Sequence, residues 1–89
     1  MAKTIDAFPA LGKTVAAHRR AAGKTQEDVA YEADVSLRHL QKIEAGSTNP
    51  RLGTLFSIAT VLGTTAHELL EEAASTASTP ASRKRRAQP

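Results

Sequence analysis

Between Ser36 and Ala45 of this 89-residue chain, Arg38, Gln41 and Lys42 gather two cations and an amide into one short segment. Such groups donate hydrogen bonds to phosphates and to base edges, and none of them makes a nucleophile without further partners. Their spacing makes sense on a helix. If Leu40 and Ile43 form the buried face, 3.6 residues per turn directs Leu37, Arg38, Gln41 and Lys42 away from it. A helix held down by two apolar side chains, and polar outside, suits insertion into a groove. The major groove of double-stranded DNA admits an α-helix and offers matching donors and acceptors.

That segment needs a second element to hold it, and Thr25–Gly46 supplies one: two short helices joined by a tight turn. Thr25 can cap the amide of Asp28 while the Asp28 carboxylate reaches back, a shortened capping box. Val29, Ala30 and Ala33 form the buried stripe of this helix. Asp34 and Val35 make the turn, since Asp tolerates left-handed backbone angles better than most residues other than Gly. Ser36 caps the next helix and Gly46 ends it.

Three further helices frame the pair. The first is predicted from Pro9 to Ala22, with Leu11, Val15 and Arg19 at i, i+4 and i+8, and Gly23 as its stop. After the polar loop Ser47–Pro50, a fourth carries Leu52, Leu55, Phe56, Ala59 and Leu62 on one face and stops at Gly63. A short fifth opens at Thr65 with Glu68 as a capping box and carries Leu69 and Leu70. The expectation is an all-α, compact five-helix domain over residues 9–72, after an N-terminal arm of residues 1–8. Residues 73–89 are small, polar and Pro-broken before a run of cations, and read as a disordered basic tail.

The bulk numbers narrow the function. The chain has no Cys, so disulfides and thiolate metal sites are excluded and a reducing cytosol fits. No run approaches the ~18 apolar residues of a membrane span, and the first residues lack the apolar centre of a signal peptide. His18, His39 and His67 fall on different helices without metal-ligand spacing, so neither a metal nor a cofactor is expected. No Ser/His/acid arrangement and no Gly-rich phosphate loop is present, which argues against an enzyme. Aromatic residues are 3% of the chain, too few for stacking platforms that grip single strands or RNA loops. The formal net charge of +3 is concentrated in Arg83, Lys84, Arg85 and Arg86. Without those four, Lys+Arg falls from 12 to 8 against 9 acidic residues, a balance of −1. Contact with DNA must then come from a local patch, not a general field.

From Leu11 to Leu70 the chain resembles the phage-repressor and Cro-like helix-turn-helix family of transcriptional regulators, the xenobiotic-response-element type with a lambda-repressor-like fold. The resemblance rests on ordered landmarks: Arg19, Thr25-Gln26-Glu27, Val29-Ala30, Val35-Ser36, Ile43-Glu44 with Gly46, Asn49-Pro50, Ala59 with Leu62-Gly63, and Glu68-Leu69. It implies that Leu37, Arg38 and Lys42, with Gln41 beside them, contact bases. Gln26 is implied to hydrogen-bond phosphate and brace the recognition helix, with Ser36, Asn49 and Arg51 as further phosphate contacts. Arg19 and Glu44 match a buried pair that ties the first helix to the end of the third. Three positions depart from the family: Asp34 replaces the usual turn Gly, Arg51 replaces a capping Ser or Thr, and Leu37 replaces a polar base reader. Leu37 then suits a thymine methyl.

The resemblance further implies a homodimer on a palindromic operator, with Val61 and Leu70 of the last helices at the interface. No effector-binding domain is expected in 89 residues. Control by concentration and autoregulation follows, as in a repressor or a restriction–modification controller that is cytoplasmic and nucleoid-associated. The acidic strip Glu27, Asp28 and Glu32 is a candidate contact for RNA polymerase. A rival reading is an antitoxin or protein-interaction module whose tail binds a protein partner such as a toxin.

Overall fold

A computed structural model describes the backbone of residues 8–77 and the side chains of residues 8–75. It contains α1 (Phe8–Ala21), α2 (Gln26–Ala33), α3 (Leu37–Ala45), α4 (Leu52–Leu62) and α5 (Ala66–Ala77), with no strand among the described residues. The fold is all-α. Helix α1 packs on α3 and α5, α2 on α3 and α4, and α4 on α5. Val15, Val29, Leu40, Ile43, Ile58 and Leu69 are almost wholly shielded from solvent where these helices meet. Burial of each such side chain contributes about 1.5–3 kcal/mol, and it joins all five helices through one core.

Local chemistry explains where the helices start and stop. Thr25 and Asp28 form the full capping box: the Asp28 amide donates to the Thr25 hydroxyl and the Thr25 amide to the Asp28 carboxylate, both at 3.0 Å. These bonds hold the Asp28 carboxyl below its ordinary range, the backbone donor contributing most. Helix α2 ends at Asp34, at φ 59° and ψ 46°. The amide of Asp34 donates to the Tyr31 carbonyl and that of Val35 to the Ala30 carbonyl, which satisfies the open end of the helix. Helix α3 closes in the same manner at Gly46, so Asp34 adopts by tolerance what Gly46 adopts freely. Arg51 stands at the start of α4 with no side-chain cap, as expected from the missing Ser or Thr. At α5, Thr65 accepts the Glu68 amide at 3.0 Å, while the Glu68 carboxylate accepts the Thr64 hydroxyl at 2.7 Å.

Three expectations need correction. Phe8 lies within α1, not in an arm, and residues 1–7 fall outside the described residues. Helix α5 runs on to Ala77, past the expected tail boundary at 73, and Ala73 is buried. Ala66, Leu69 and Ala73 recur at helical spacing, and alanine favours helix whatever its linker-like company. Residues 78–89, including Arg83–Arg86, lie outside the described residues. Helix α4 buries Leu55, Ile58, Ala59 and Leu62, whereas Leu52 and Phe56 are exposed. The i, i+3, i+4, i+7 stripe centres on Ile58 and Ala59, which leaves Leu52 and Phe56 together on one flank.

Candidate nucleic-acid interface

Helix α3 is anchored by Leu40 and Ile43, which are 0% and 1% exposed. Arg38, Gln41 and Lys42 are exposed on its other side. Leu37 departs from the expected outward position, being half-buried and packed on the hydrophobic core. It stands one turn before Leu40, on the inner edge of the helix, where burial of its leucine side chain is favoured over exposure. The Ser36 hydroxyl accepts the His39 amide at 3.0 Å, so it serves as the cap of α3 while remaining at the surface.

Behind this face, Arg19 and Glu44 form a two-pronged ion pair. Arg19 Nε donates to Glu44 Oε2 at 2.7 Å, and Nη2 donates to Oε1 at 3.2 Å. The two side chains are only 11% and 7% exposed. Arg19 Nη1 also donates to the Lys24 carbonyl at 2.9 Å, which fastens the α1–α2 loop. The hydrogen bonding of Arg19 to Glu44, opposed in part by burial, raises the Arg19 pKa further above its ordinary value. Gln26, half-buried at the start of α2, donates to Glu44 Oε1 at 3.0 Å. Gln41 in turn donates to Gln26 Oε1 at 3.5 Å. One chain of polar groups therefore links α1, α2 and α3.

Sequence reasoning missed Gly12. A Cβ at this position would meet the Ile43 carbonyl oxygen and would lie 2.5 Å from that of Glu44. Only the absence of a side chain lets α1 rest directly on the last turn of α3. The i, i+4, i+8 apolar pattern of α1 gave no hint of it, because close backbone approach leaves no mark in hydrophobic spacing.

The remaining candidates lie elsewhere. Arg51 and Asn49 are exposed just before α4. Asn49 and Pro50 also border an apolar groove of about 370 Å³ lined by Phe8, Leu52, Leu55 and Leu70. Leu70 is 43% exposed, while its neighbour Leu69 is wholly buried. Val61 is half-buried and packs on the chain's own core. Among the acids of α2, Asp28 serves the capping box and Glu32 accepts from Lys24 Nζ at 3.0 Å. The histidines are apart: His18 pairs with Glu72 at 3.0 Å and His67 with Glu71 at 3.7 Å. No cluster suited to a metal ion occurs among the described residues. Likewise, none of their helices is long and apolar enough to cross a membrane.

Comparison with known proteins adds independent findings. The family profile described as a helix-turn-helix domain matches residues 10–73. The HTH-type transcriptional regulator DdrOP3 of Deinococcus deserti is 43% identical over 53 residues, which span 60% of this chain and 41% of that protein. The chain thus corresponds to well under half of that relative's length. The uncharacterized HTH-type transcriptional regulator y4dJ of Sinorhizobium fredii is 37% identical over 60 residues, 67% of this chain and 78% of that one. Among solved structures, the clp gene regulator ClgR of Corynebacterium glutamicum superposes with a TM-score of 0.78 at 27% identity, covering 92% of this chain and 87% of its own. The restriction-modification controller protein C.AhdI of Aeromonas hydrophila gives 0.68 at 26% identity, covering 70% and 94%.

Proposed function

The chain belongs to the helix-turn-helix family of DNA-binding transcriptional regulators, of the Cro- and lambda-repressor-like type, and on that premise we propose that α3 enters the major groove of a palindromic operator. The observation that carries this reading is the division of α3 into a buried Leu40–Ile43 side and an exposed Arg38–Gln41–Lys42 side. Arg38, Gln41 and Lys42 contact base edges. Leu37 supports the helix from its inner edge and reaches a base only by its tip. Ser36, Asn49, Arg51 and the free N–H of Gln26 face phosphates, which position the domain without specifying sequence.

One such helix contacts too few base pairs for high specificity, so two copies bind half-sites about one helical turn (~34 Å) apart. Leu70, exposed beside the apolar groove, supplies the interface, and Val61 supports it from behind. Regulation follows from the concentration of dimer, including at the protein's own promoter. The test uses a duplex selected from a random pool by the full chain. Arg38→Ala and Lys42→Ala are expected to weaken binding by ~1–3 kcal/mol each and to leave the helical content unchanged. A double variant that binds the selected duplex as tightly as the parent would end the assignment of α3.

A further inference from the structure

We infer that Glu44, through Gln26, sets the amide orientation of Gln41 and with it the class of base edge that Gln41 accepts. The inference rests on the reading of α3 as the helix that contacts bases, and it concerns a residue that itself touches no DNA.

The polarity follows from hydrogen-bond chemistry. An ionised carboxylate can only accept, whereas a glutamine amide has one accepting end and one donating end. Both oxygens of the Glu44 carboxylate accept from Arg19. The end of Gln26 that meets Glu44 Oε1 at 3.0 Å must therefore be its NH2 group. Its carbonyl oxygen is then turned toward Gln41, and Gln41 answers with its own NH2 at 3.5 Å. The carbonyl oxygen of Gln41 is left as the outer end of the chain, on the exposed side of α3. In the major groove an acceptor is matched by the exocyclic amines of adenine and cytosine, not by the acceptors that guanine and thymine offer there. A Gln41 released from Gln26 would turn its amide either way and lose that preference.

Two other features favour the relay over a free glutamine. Gln26 is half-buried and tied to two residues of α3, so few rotamers are open to it. Leu37, the residue of α3 that stands closest to the turn, is packed on the core and offers Gln26 no polar partner. Gln26 is therefore a positioning residue for Gln41, and Glu44 is a positioning residue for both.

The experiment measures binding of the full chain to the selected duplex and to a set in which each base pair of the half-site is replaced in turn. Gln41→Ala first identifies the base pair at which discrimination is lost. At that base pair, wild type should prefer A or C over G or T about five- to tenfold on the strand it reads. Gln26→Ala should abolish most of this preference and weaken other duplexes only by a common factor. Glu44→Gln should also erase or reverse it, because Arg19 claims the single carbonyl oxygen and leaves an NH2 facing Gln26. Circular dichroism confines the comparison to folded variants, and Gln26→Ala carries the test if Glu44→Gln does not fold. A common loss factor for Gln26→Ala on every duplex, including those altered at the Gln41 base pair, overturns the relay while leaving α3 in the groove. If Gln41→Ala loses discrimination at no base pair, the relay falls together with the base contact it serves.

Discussion

Helices α3 and α4 share one core and turn opposite kinds of surface outward. Helix α3 buries Leu40 and Ile43 and exposes Arg38, Gln41 and Lys42. Helix α4 buries Leu55, Ile58, Ala59 and Leu62, and yet still exposes Leu52 and Phe56, at 60% and 55%. The polar side of α3 is braced from behind by an ion pair and Gln26, whereas the apolar flank of α4 continues into a groove edged by Phe8 and Leu70. A small domain thus separates its surface chemistry by direction: polar groups point outward from α3, apolar ones from α4 and α5. The largest expected effects come from the braces of each face, and the smallest from its edges.

Glu44→Ala leaves the Arg19 guanidinium in a nearly closed site without its carboxylate. The expected loss of stability is about 3–5 kcal/mol. In the double variant Arg19→Met/Glu44→Leu, no charge is orphaned and much of the loss should return. Thermal melts of the three chains decide the matter, and a Glu44→Ala chain that melts with wild type would show that the pair is not a brace.

The two sides of α4 are separated by a matched pair of substitutions. Ile58→Ala removes a wholly buried side chain and should cost about 2–5 kcal/mol. Phe56→Ser, on the exposed flank, should change monomer stability by only ~0.5 kcal/mol. Denaturant titration at low protein concentration tests both. Equal losses would mean that the flank is as much core as the buried stripe.

Leu70→Glu addresses the apolar surface directly. A carboxylate buried in a protein interface without a partner should weaken self-association by about 2 kcal/mol or more. Sedimentation of the variant should show a folded monomer, and an intact dimer would remove Leu70 from the interface.

The smallest effect belongs to the edge of the polar half. Because the folded Asp28 carboxyl titrates below its ordinary value of 3.8, folding favours its charged form. Its contribution is complete above that value and is lost as pH falls through the lower, folded one. The stability difference between wild type and Asp28→Ala should be constant near neutrality and should shrink below pH 3.8. A difference that grows toward acid would contradict the capping box.

Much of the polar half was legible in the sequence because its determinants are local. Thr25 and Asp28, Ser36 and Gly46 each act within four residues, and their roles follow from side-chain chemistry at that range. The ion pair of Arg19 with Glu44 spans 25 residues, and it came from resemblance to the family, not from spacing. What periodicity misjudged lies at the margins of apolar stripes. Leu37, Leu52 and Phe56 sit where a helix face turns into its flank, and neighbouring helices decide which way each is counted. Ala73 was lost to a composition argument, since a short run of small residues reads alike as linker and as helix. The Gln26–Glu44 bond required knowledge of how three helices converge.

Gly12 places a backbone-to-backbone stop behind α3. Any larger residue there would drive a methyl group against the carbonyls of Ile43 and Glu44 and push the helices apart by the better part of an ångström. Hydrogen bonds to a base edge survive only within about half an ångström of their best length. On the proposed docking of α3 in the groove, the tolerance for addressing DNA is therefore set on the far side of the helix, by a missing side chain. Variation at residue 12 would act as a change of focus: the same Arg38, Gln41 and Lys42, carried at the wrong depth.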